Sequence, residues 1–140
     1  MKRIDVLLTA NAILWISVVI LAVYDVCMYE QTQPLQIYIA GKYSGTSEQI
    51  TQNVENAEAA GMQVADKCNY PLVPHLLGYM SQENHTYIFW TYLDDIALKK
   101  SDALLLISHS KGADAELALA KSLGKPIYYS IDEVPNRCKI

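Results

Sequence analysis

Residues 103–108 read Ala-Leu-Leu-Leu-Ile-Ser, a continuous apolar run that ends in a polar residue. A run without alternation is typical of a central strand in a parallel sheet, because helices cover both of its faces. Residues 35–40 predict a second strand, since Leu35, Ile37 and Ile39 alternate with their neighbours along the chain. These two segments form the centre of the predicted sheet.

Helical and extended segments alternate along the rest of the chain. Thr46 followed three residues later by Gln49 predicts a capping box, ahead of a long helix that ends near Cys68. Further patterns predict the following segments: a strand at 70–73, a loop at 74–83, helices at 87–100 and 113–123, and a strand at 126–131. The alternation predicts an α/β fold with a small doubly wound parallel sheet, a three-layer arrangement of the flavodoxin or Rossmann kind.

The N-terminal segment carries no charged residue from Val6 to Tyr24. Its length is close to the roughly 20 residues that a helix needs to cross a bilayer. Lys2 and Arg3 precede it, so a membrane span at residues 6–24 would leave the N-terminus in the cytoplasm and the rest outside. We expect a single-pass anchor preceding the α/β domain.

Two alternatives to an anchor stay open. A cleaved signal peptide is the weaker one, because no clear small-x-small cleavage site follows the apolar run. A true start at Met28 would instead give a cytoplasmic domain. The predicted organisation is an anchor or leader at residues 1–27, a tether at 28–35 and the α/β domain at 36–140.

Composition excludes several classes of function. The chain has 140 residues and a net charge of −4, and it lacks a stripe of Lys and Arg interleaved with aromatics, so nucleic acid is not an expected partner. Its three cysteines are Cys27, Cys68 and Cys138. Their odd number and irregular spacing argue against a disulfide framework and against a zinc site, so we expect ordinary thiols and no metal.

Ligands of parallel sheets bind beyond the carboxyl ends of the strands. That rule selects residues 41–46, 74–75 and 108–116 as candidate ligand-binding segments. In the first of these, glycines and the helix start that follows suit an anion. The first segment, Gly41–Gly45, also fits an ordinary tight turn. In the last segment, Ser110, Lys111 and the N–H groups near Gly112 are candidate phosphate ligands.

Two acids and two ring side chains are further candidates. Glu116 lies near the start of a predicted helix, where the helix dipole alone favours an acid. Asp94 lies towards the end of a predicted helix, where an acid is unfavourable unless it pairs with Lys99 or serves a site. His75 follows a strand end and is a candidate ligand contact, and Trp90 is a candidate wall for a base.

Four segments resemble the nucleoside 2-deoxyribosyltransferase superfamily, most closely its 2'-deoxynucleoside 5'-monophosphate N-hydrolases and related uncharacterised phage and prokaryotic domains. They are residues 37–41, Asp94 with Asp102 eight residues later, residues 110–116, and residues 123–127. Ser110 is similar to the phosphate-contacting serine of the monophosphate hydrolases, whereas the transferases carry an aspartate there. Lys42 departs from the hydrolase pattern, which has a phosphate-binding serine at that place, and Ser44 is the nearby substitute.

The resemblance implies cleavage or transfer of an N-glycosidic bond of a 2'-deoxynucleoside or its 5'-monophosphate. Glu116 would be the nucleophile, and Asp94 would position and protonate the leaving base. The implied substrate-binding residues are Tyr38, Gly41, Ser44, Gly45, His75, Trp90, Ser110, Lys111 and Gly112. The resemblance implies no metal or organic cofactor, and it implies a homo-oligomer.

A second hypothesis of another class is a nucleotide-binding sensor domain on a membrane anchor, without catalysis. The apolar N-terminal segment favours the sensor, whereas Glu116 favours the enzyme. A ribonucleotide phosphoribohydrolase would share the fold, but its P-G-G-x-G-T signature does not occur in the sequence.

Overall fold

The structure, a computed structural model, describes residues 2–81 and 85–138. Its elements in chain order are α1 (Lys2–Gln31), β1 (Gln36–Ala40), α2 (Ser47–Asp66), β2 (Tyr70–Leu72), α3 (Pro74–Ser81), α4 (Tyr87–Lys100), β3 (Ala103–Leu106), α5 (Lys111–Ser122), β4 (Ile127–Tyr128) and a final 3-10 turn (Ile131–Glu133). The chain divides into two units between Gln33 and Pro34.

The first unit contains α1. Within it, Ala12–Tyr29 has a mean hydropathy of 2.1, and none of this window is buried. The helix is therefore long and apolar enough to span a membrane, a property that anchors and signal sequences share.

The second unit is built on a four-stranded parallel sheet in the order β2-β1-β3-β4. One face packs Tyr38 and Leu104 against Leu98 of α4 and Leu117 of α5. The other face packs Ile39, among others, against α2 and the C-terminal residues. Helices thus cover both faces, and the predicted α/β fold with a parallel sheet and a preceding apolar helix is confirmed.

The long helix α2 begins as its sequence predicts. The Thr46 side chain accepts a hydrogen bond from the Gln49 backbone, and the Gln49 side chain accepts one from the Thr46 backbone. This reciprocal pair satisfies two N–H groups that a helix start would otherwise leave open. The capping box therefore fixes where the loop after β1 ends.

The interpretation of residues 74–83 as a loop is wrong for Pro74–Ser81, which form α3. Proline is favoured as the first residue of a helix, because its fixed φ suits the helix and its missing N–H would have no partner there. Residues 82 and 83 of the predicted loop lie outside the described residues. The last predicted strand is also shorter than expected, since β4 ends at Tyr128.

The expectation of three ordinary thiols is wrong, because Cys68 and Cys138 form a disulfide with a Cα–Cα distance of 4.9 Å. Cys68 follows α2 with a φ of 57°. Residues 129–138, which follow β4 and which we call the C-terminal strap, bring Cys138 next to Cys68 at the end of α2. Sequence spacing could not indicate the pair, since 70 residues separate the two cysteines.

Hydrogen bonds on both sides of Cys68 hold the C-terminal strap. The ammonium group of Lys67 donates to the carbonyls of Ile131 and Val134, at 2.6 and 2.8 Å. The Asn69 amide donates to the carbonyl of Pro135 at 2.7 Å, while its oxygen accepts from the backbone N–H of Leu35 at 3.0 Å. The strap is thus fastened at the end of the sheet where β1 and β2 begin.

Candidate active site

A cavity of about 660 Å³ opens beyond the carboxyl ends of β1 and β3. Four parts of the second unit line it: the loop after β1, the first five residues of α3, one face of α4 with His85 ahead of it, and the N-terminal turns of α5. The lining residues are Gly41, Tyr43, Ser44, Pro74, His75, Gly78, His85, Tyr87, Trp90, Thr91, Asp94, Asp95, Ser110, Lys111, Gly112, Ala113, Ala115 and Glu116. The cavity therefore lies at the edge of the sheet that the strand directions select.

Glu116 lies in the second turn of α5 and is partly buried. Its Oε1 accepts a hydrogen bond of 2.7 Å from the hydroxyl of Tyr38. Burial raises the pKa of Glu116 to about 7; the Tyr38 hydrogen bond lowers it, and the charges of Asp94 and Asp95 raise it. At neutral pH this carboxyl is therefore divided between its two protonation states.

Asp94 reaches the same cavity from α4. Burial, followed by the charge of Asp95, raises the pKa of Asp94 to about 6. Lys99, considered from the sequence as a partner of Asp94, pairs with Asp95 instead, with 4.0 Å between Nζ and Oδ2. Two acids with raised pKa values thus face one cavity from different helices, and the charge of Asp94 contributes to the raised pKa of Glu116.

Tyr38 lies beneath the cavity rather than in its lining. Its side chain is fully buried in the core, and its hydroxyl donates a hydrogen bond to Glu116, which lines the cavity. Burial raises the pKa of Tyr38, as do the charges of Glu116 and Asp94. The hydroxyl therefore stays protonated and acts as a fixed donor to Glu116, so Tyr38 supports the acid and does not itself line the pocket.

The N-terminus of α5 lines the cavity with Ser110, Lys111 and Gly112. Ser110 is the N-cap, and its hydroxyl oxygen accepts a hydrogen bond of 3.1 Å from the N–H of Ala113. The N–H groups of Lys111 and Gly112 lie too near the helix start for a partner within α5. Such N–H groups and the positive end of the helix dipole favour an anion here.

The loop after β1 approaches β3 closely. A Cβ on Gly41 would lie 2.6 Å from the Ile107 side chain, so no larger residue fits there without rearrangement. The Lys42 N–H donates to the Ser108 hydroxyl at 2.8 Å, which ties the ends of the two strands together. Lys42 does not line the cavity, whereas Ser44 does.

Gly45, predicted as a substrate contact, does not line the cavity. A Cβ at this position would lie 2.7 Å from the Cβ of Gln49. Gly45 thus leaves room for the Gln49 side chain, which closes the capping box of α2. Its role in the described structure is to shape the loop.

Ring side chains form the remaining walls. His75 is buried, and its Nε2 lies 3.1 Å from the carbonyl of Gly41. Burial lowers the pKa of His75 more than its backbone hydrogen bonds raise it, so the ring is neutral at physiological pH. Tyr43 packs edge-on against His75 at 5.7 Å, and Trp90 meets His85 edge-on at the same distance.

Sequence reasoning missed several lining residues of α4. Tyr87, Thr91 and Asp95 share a helical face with Trp90 and Asp94, because these positions are separated by three or four residues. One helical turn connects each of them to the next. Counting back from Asp94 in helical steps would have found this face, whereas Tyr43 and Gly78 offered no such periodic signal.

No group of three or more His, Cys, Asp or Glu residues able to hold a metal ion occurs within residues 2–81 and 85–138. His109 pairs with Asp114 instead, with 2.6 Å between Nδ1 and Oδ1, at an exposed position outside the cavity lining.

A family model described as a domain of unknown function (DUF7768) matches residues 35–130. The matched range contains β1 to β4 and all of the residues that line the cavity. No curated protein matches the chain.

Proposed function

The chain belongs to the family described as a domain of unknown function (DUF7768), and we propose that its α/β domain cleaves or transfers the N-glycosidic bond of a 2'-deoxynucleoside or its 5'-monophosphate. Glu116 acts as the nucleophile and Asp94 as the acid. The proposal extends the sequence resemblance to the nucleoside 2-deoxyribosyltransferase superfamily.

One observation carries the proposal: two partly buried acids from different helices line a single cavity at the carboxyl edge of a parallel sheet. Burial raises the pKa of both acids, which is costly for a purely structural carboxylate. Perturbed acids that share a cleft are typical of catalytic sites. A covalent glycosidase needs this pairing of one nucleophilic and one proton-donating carboxyl group.

In the first step, an ionised Glu116 oxygen attacks the anomeric carbon of the deoxyribose. The bond between that carbon and the base nitrogen breaks, and its electron pair leaves with the base. Asp94 donates a proton to the departing base, and a glycosyl ester on Glu116 results. In the second step, water or an acceptor base attacks the anomeric carbon and gives up its proton to the Asp94 carboxylate. The bond between that carbon and the Glu116 oxygen breaks, and its electron pair returns to Glu116, which leaves as a carboxylate.

Tyr38 supports Glu116 in this scheme. Its hydroxyl donates to Oε1 and leaves the second carboxylate oxygen for attack. The hydrogen bond stabilises the ionised form of an acid whose burial opposes ionisation. Tyr38 is therefore a positioning residue rather than a substrate contact.

The N-terminus of α5 suits the 5'-phosphate of a nucleotide. The Ser110 hydroxyl can donate to a phosphate oxygen while its own oxygen holds the Ala113 N–H. Lys111 adds a positive charge at the same end of the helix, where unpartnered N–H groups also favour an anion. Trp90 and Tyr43 line the cavity and are suited to stack on a base, because an aromatic ring can stack on the flat face of any of the bases.

Two further parts of the proposal concern assembly and location. We propose that α1 anchors the domain to a membrane as a single span. We also propose a homo-oligomer, because α4 exposes large apolar side chains such as Tyr87, Ile88 and Tyr92 beside the cavity. Exposed apolar surface of this kind is typical of interfaces.

A non-catalytic nucleotide sensor is the second candidate, and the apolar helix α1 favours it. A sensor would use the same phosphate and base contacts. It would have no need for two partly buried acids in one cavity, and their presence favours the enzyme.

The test is base release by the full-length protein from a panel of deoxynucleosides and deoxynucleoside monophosphates, followed by chromatography. We expect release from at least one substrate and its loss in Glu116→Ala. Glu58→Ala, which changes an exposed acid of α2, is the matched control and should keep full activity. Tight binding of a nucleotide, with no base released from any substrate of the panel, would favour the sensor.

A further inference from the structure

The disulfide connects two parts of the domain that independent hydrogen bonds already hold together. Lys67 and Asn69, on either side of Cys68, both donate to carbonyls of the C-terminal strap. The Arg137 N–H returns a hydrogen bond of 2.8 Å to the Lys67 carbonyl. Cys138 is therefore held beside Cys68 by contacts that do not depend on the sulfur bond, and the Cα separation lies in the range that disulfides adopt.

Disulfides form and persist where the surroundings are oxidising, and they are rare in the reducing cytoplasm. Two thiols lose two protons and two electrons, and these pass by thiol–disulfide exchange to a disulfide donor of the oxidising compartment. A disulfide between Cys68 and Cys138 thus indicates the compartment in which residues 34–138 fold.

The Lys and Arg residues around α1 independently indicate that the domain lies outside the cytoplasm. Lys2 and Arg3 precede the apolar window Ala12–Tyr29, and no other Lys or Arg occurs before Lys42. Basic residues stay preferentially on the cytoplasmic side of a span. The end of α1 that leads to the domain is therefore the end directed away from the cytoplasm.

We propose that α1 crosses the membrane with its N-terminus in the cytoplasm, and that residues 34–138 work on the opposite, oxidising side, closed by the Cys68–Cys138 disulfide. The proposal rests on the anchor part of the proposed function and is independent of the chemistry of Glu116 and Asp94.

For the proposed activity, this location specifies the source of substrate. A deoxynucleoside monophosphate is charged and does not cross a bilayer unaided, so the cavity would draw on nucleotides outside the cytoplasm. Hydrolysis of the phosphodiester bonds of DNA in that compartment is the class of reaction that supplies them. The base and the sugar phosphate would be released on the same side.

The test measures the redox state of the cysteines in the full-length chain. Cells expressing the Cys27→Ser variant, in which only Cys68 and Cys138 can react, are quenched in acid, denatured and treated with a maleimide polymer. We expect no mobility shift without reductant and a shift of two polymers after reduction. The matched control, Cys27→Ser with Cys138→Ser, should gain one polymer under both conditions.

Orientation is measured separately with alkaline phosphatase, an enzyme that is active only outside the cytoplasm, fused after Ile140. An active fusion supports the proposal. An inactive fusion, or two polymers on the unreduced Cys27→Ser variant, overturns it. Failure of base release with an intact disulfide and an active fusion would overturn only the catalytic proposal.

Discussion

Replacing Glu116 with Gln is expected to stabilise the domain at pH 8 while removing the proposed nucleophile. Burial raises the pKa of Glu116 to about 7 in the folded state from an ordinary value of 4.5. Between these values the unfolded chain ionises more readily than the folded one. The folded state therefore loses stability as the pH rises from 4.5 to about 7, and the loss stays constant above that.

The magnitude follows from the same two values. At about 1.4 kcal/mol per pH unit, the interval from 4.5 to about 7 amounts to about 3 kcal/mol. The amide of the variant is uncharged and still offers an acceptor to the Tyr38 hydroxyl. We therefore expect a gain of about 2 to 3 kcal/mol at pH 8, or about 10 °C in Tm for a domain of this size, and almost none at pH 4.

Thermal unfolding of the full-length protein, followed by tryptophan fluorescence, measures the effect at both pH values. Trp90 is the tryptophan of the α/β domain and lines the cavity with Glu116. Glu58→Gln, at an exposed position of α2, is the control and should change Tm little at either pH. An equal Tm change at pH 4 and pH 8, or a loss of stability at pH 8, would refute the reasoning about Glu116.

Three further predictions concern the reaction. The kcat/KM of base release should follow a bell with limbs near pH 6 and pH 7, because the required form, with Glu116 ionised and Asp94 protonated, is a minor one that is most populated between the two pKa values; a flat profile would argue against this pair. In Tyr38→Phe the lost hydrogen bond raises the pKa of Glu116, so the alkaline limb should move up by about one pH unit and the maximum should fall, while Tyr70→Phe on the surface leaves the profile in place. Ser110→Ala should raise the KM for a monophosphate about tenfold and the KM for the nucleoside little, because it removes one charge-assisted hydrogen bond to the phosphate. An equal rise in KM for both substrates would place Ser110 away from the phosphate.

The sheet was predictable because its strands carry strong local patterns. The apolar run before Ser108 and the alternation around Tyr38 each indicate one element, and the capping box at Thr46 marks the helix between them. The strand directions then select the edge at which ligands bind. Glu116 lies in a segment that this rule selects, whereas Asp94 was singled out as an acid late in a helix and by the family resemblance; both line the cavity.

The parts that escaped prediction depend on contacts between distant residues. The Cys68–Cys138 pair is determined by how the C-terminal strap returns to α2, which no local pattern records. Tyr38 follows the strand alternation, but only the packed structure places its hydroxyl under Glu116. α3 was missed because residues 74–83 were interpreted as a loop, although a proline such as Pro74 also begins helices.

The most direct test of the account is to look for the sugar on Glu116. The full-length protein is mixed with the deoxynucleotide that releases base, quenched in acid within the first turnovers, digested and examined by mass spectrometry. We predict that the peptide containing Glu116 gains the mass of one deoxyribose phosphate, and that Glu116→Ala shows neither adduct nor base release. Base release that continues undiminished in Glu116→Ala would contradict the central claim.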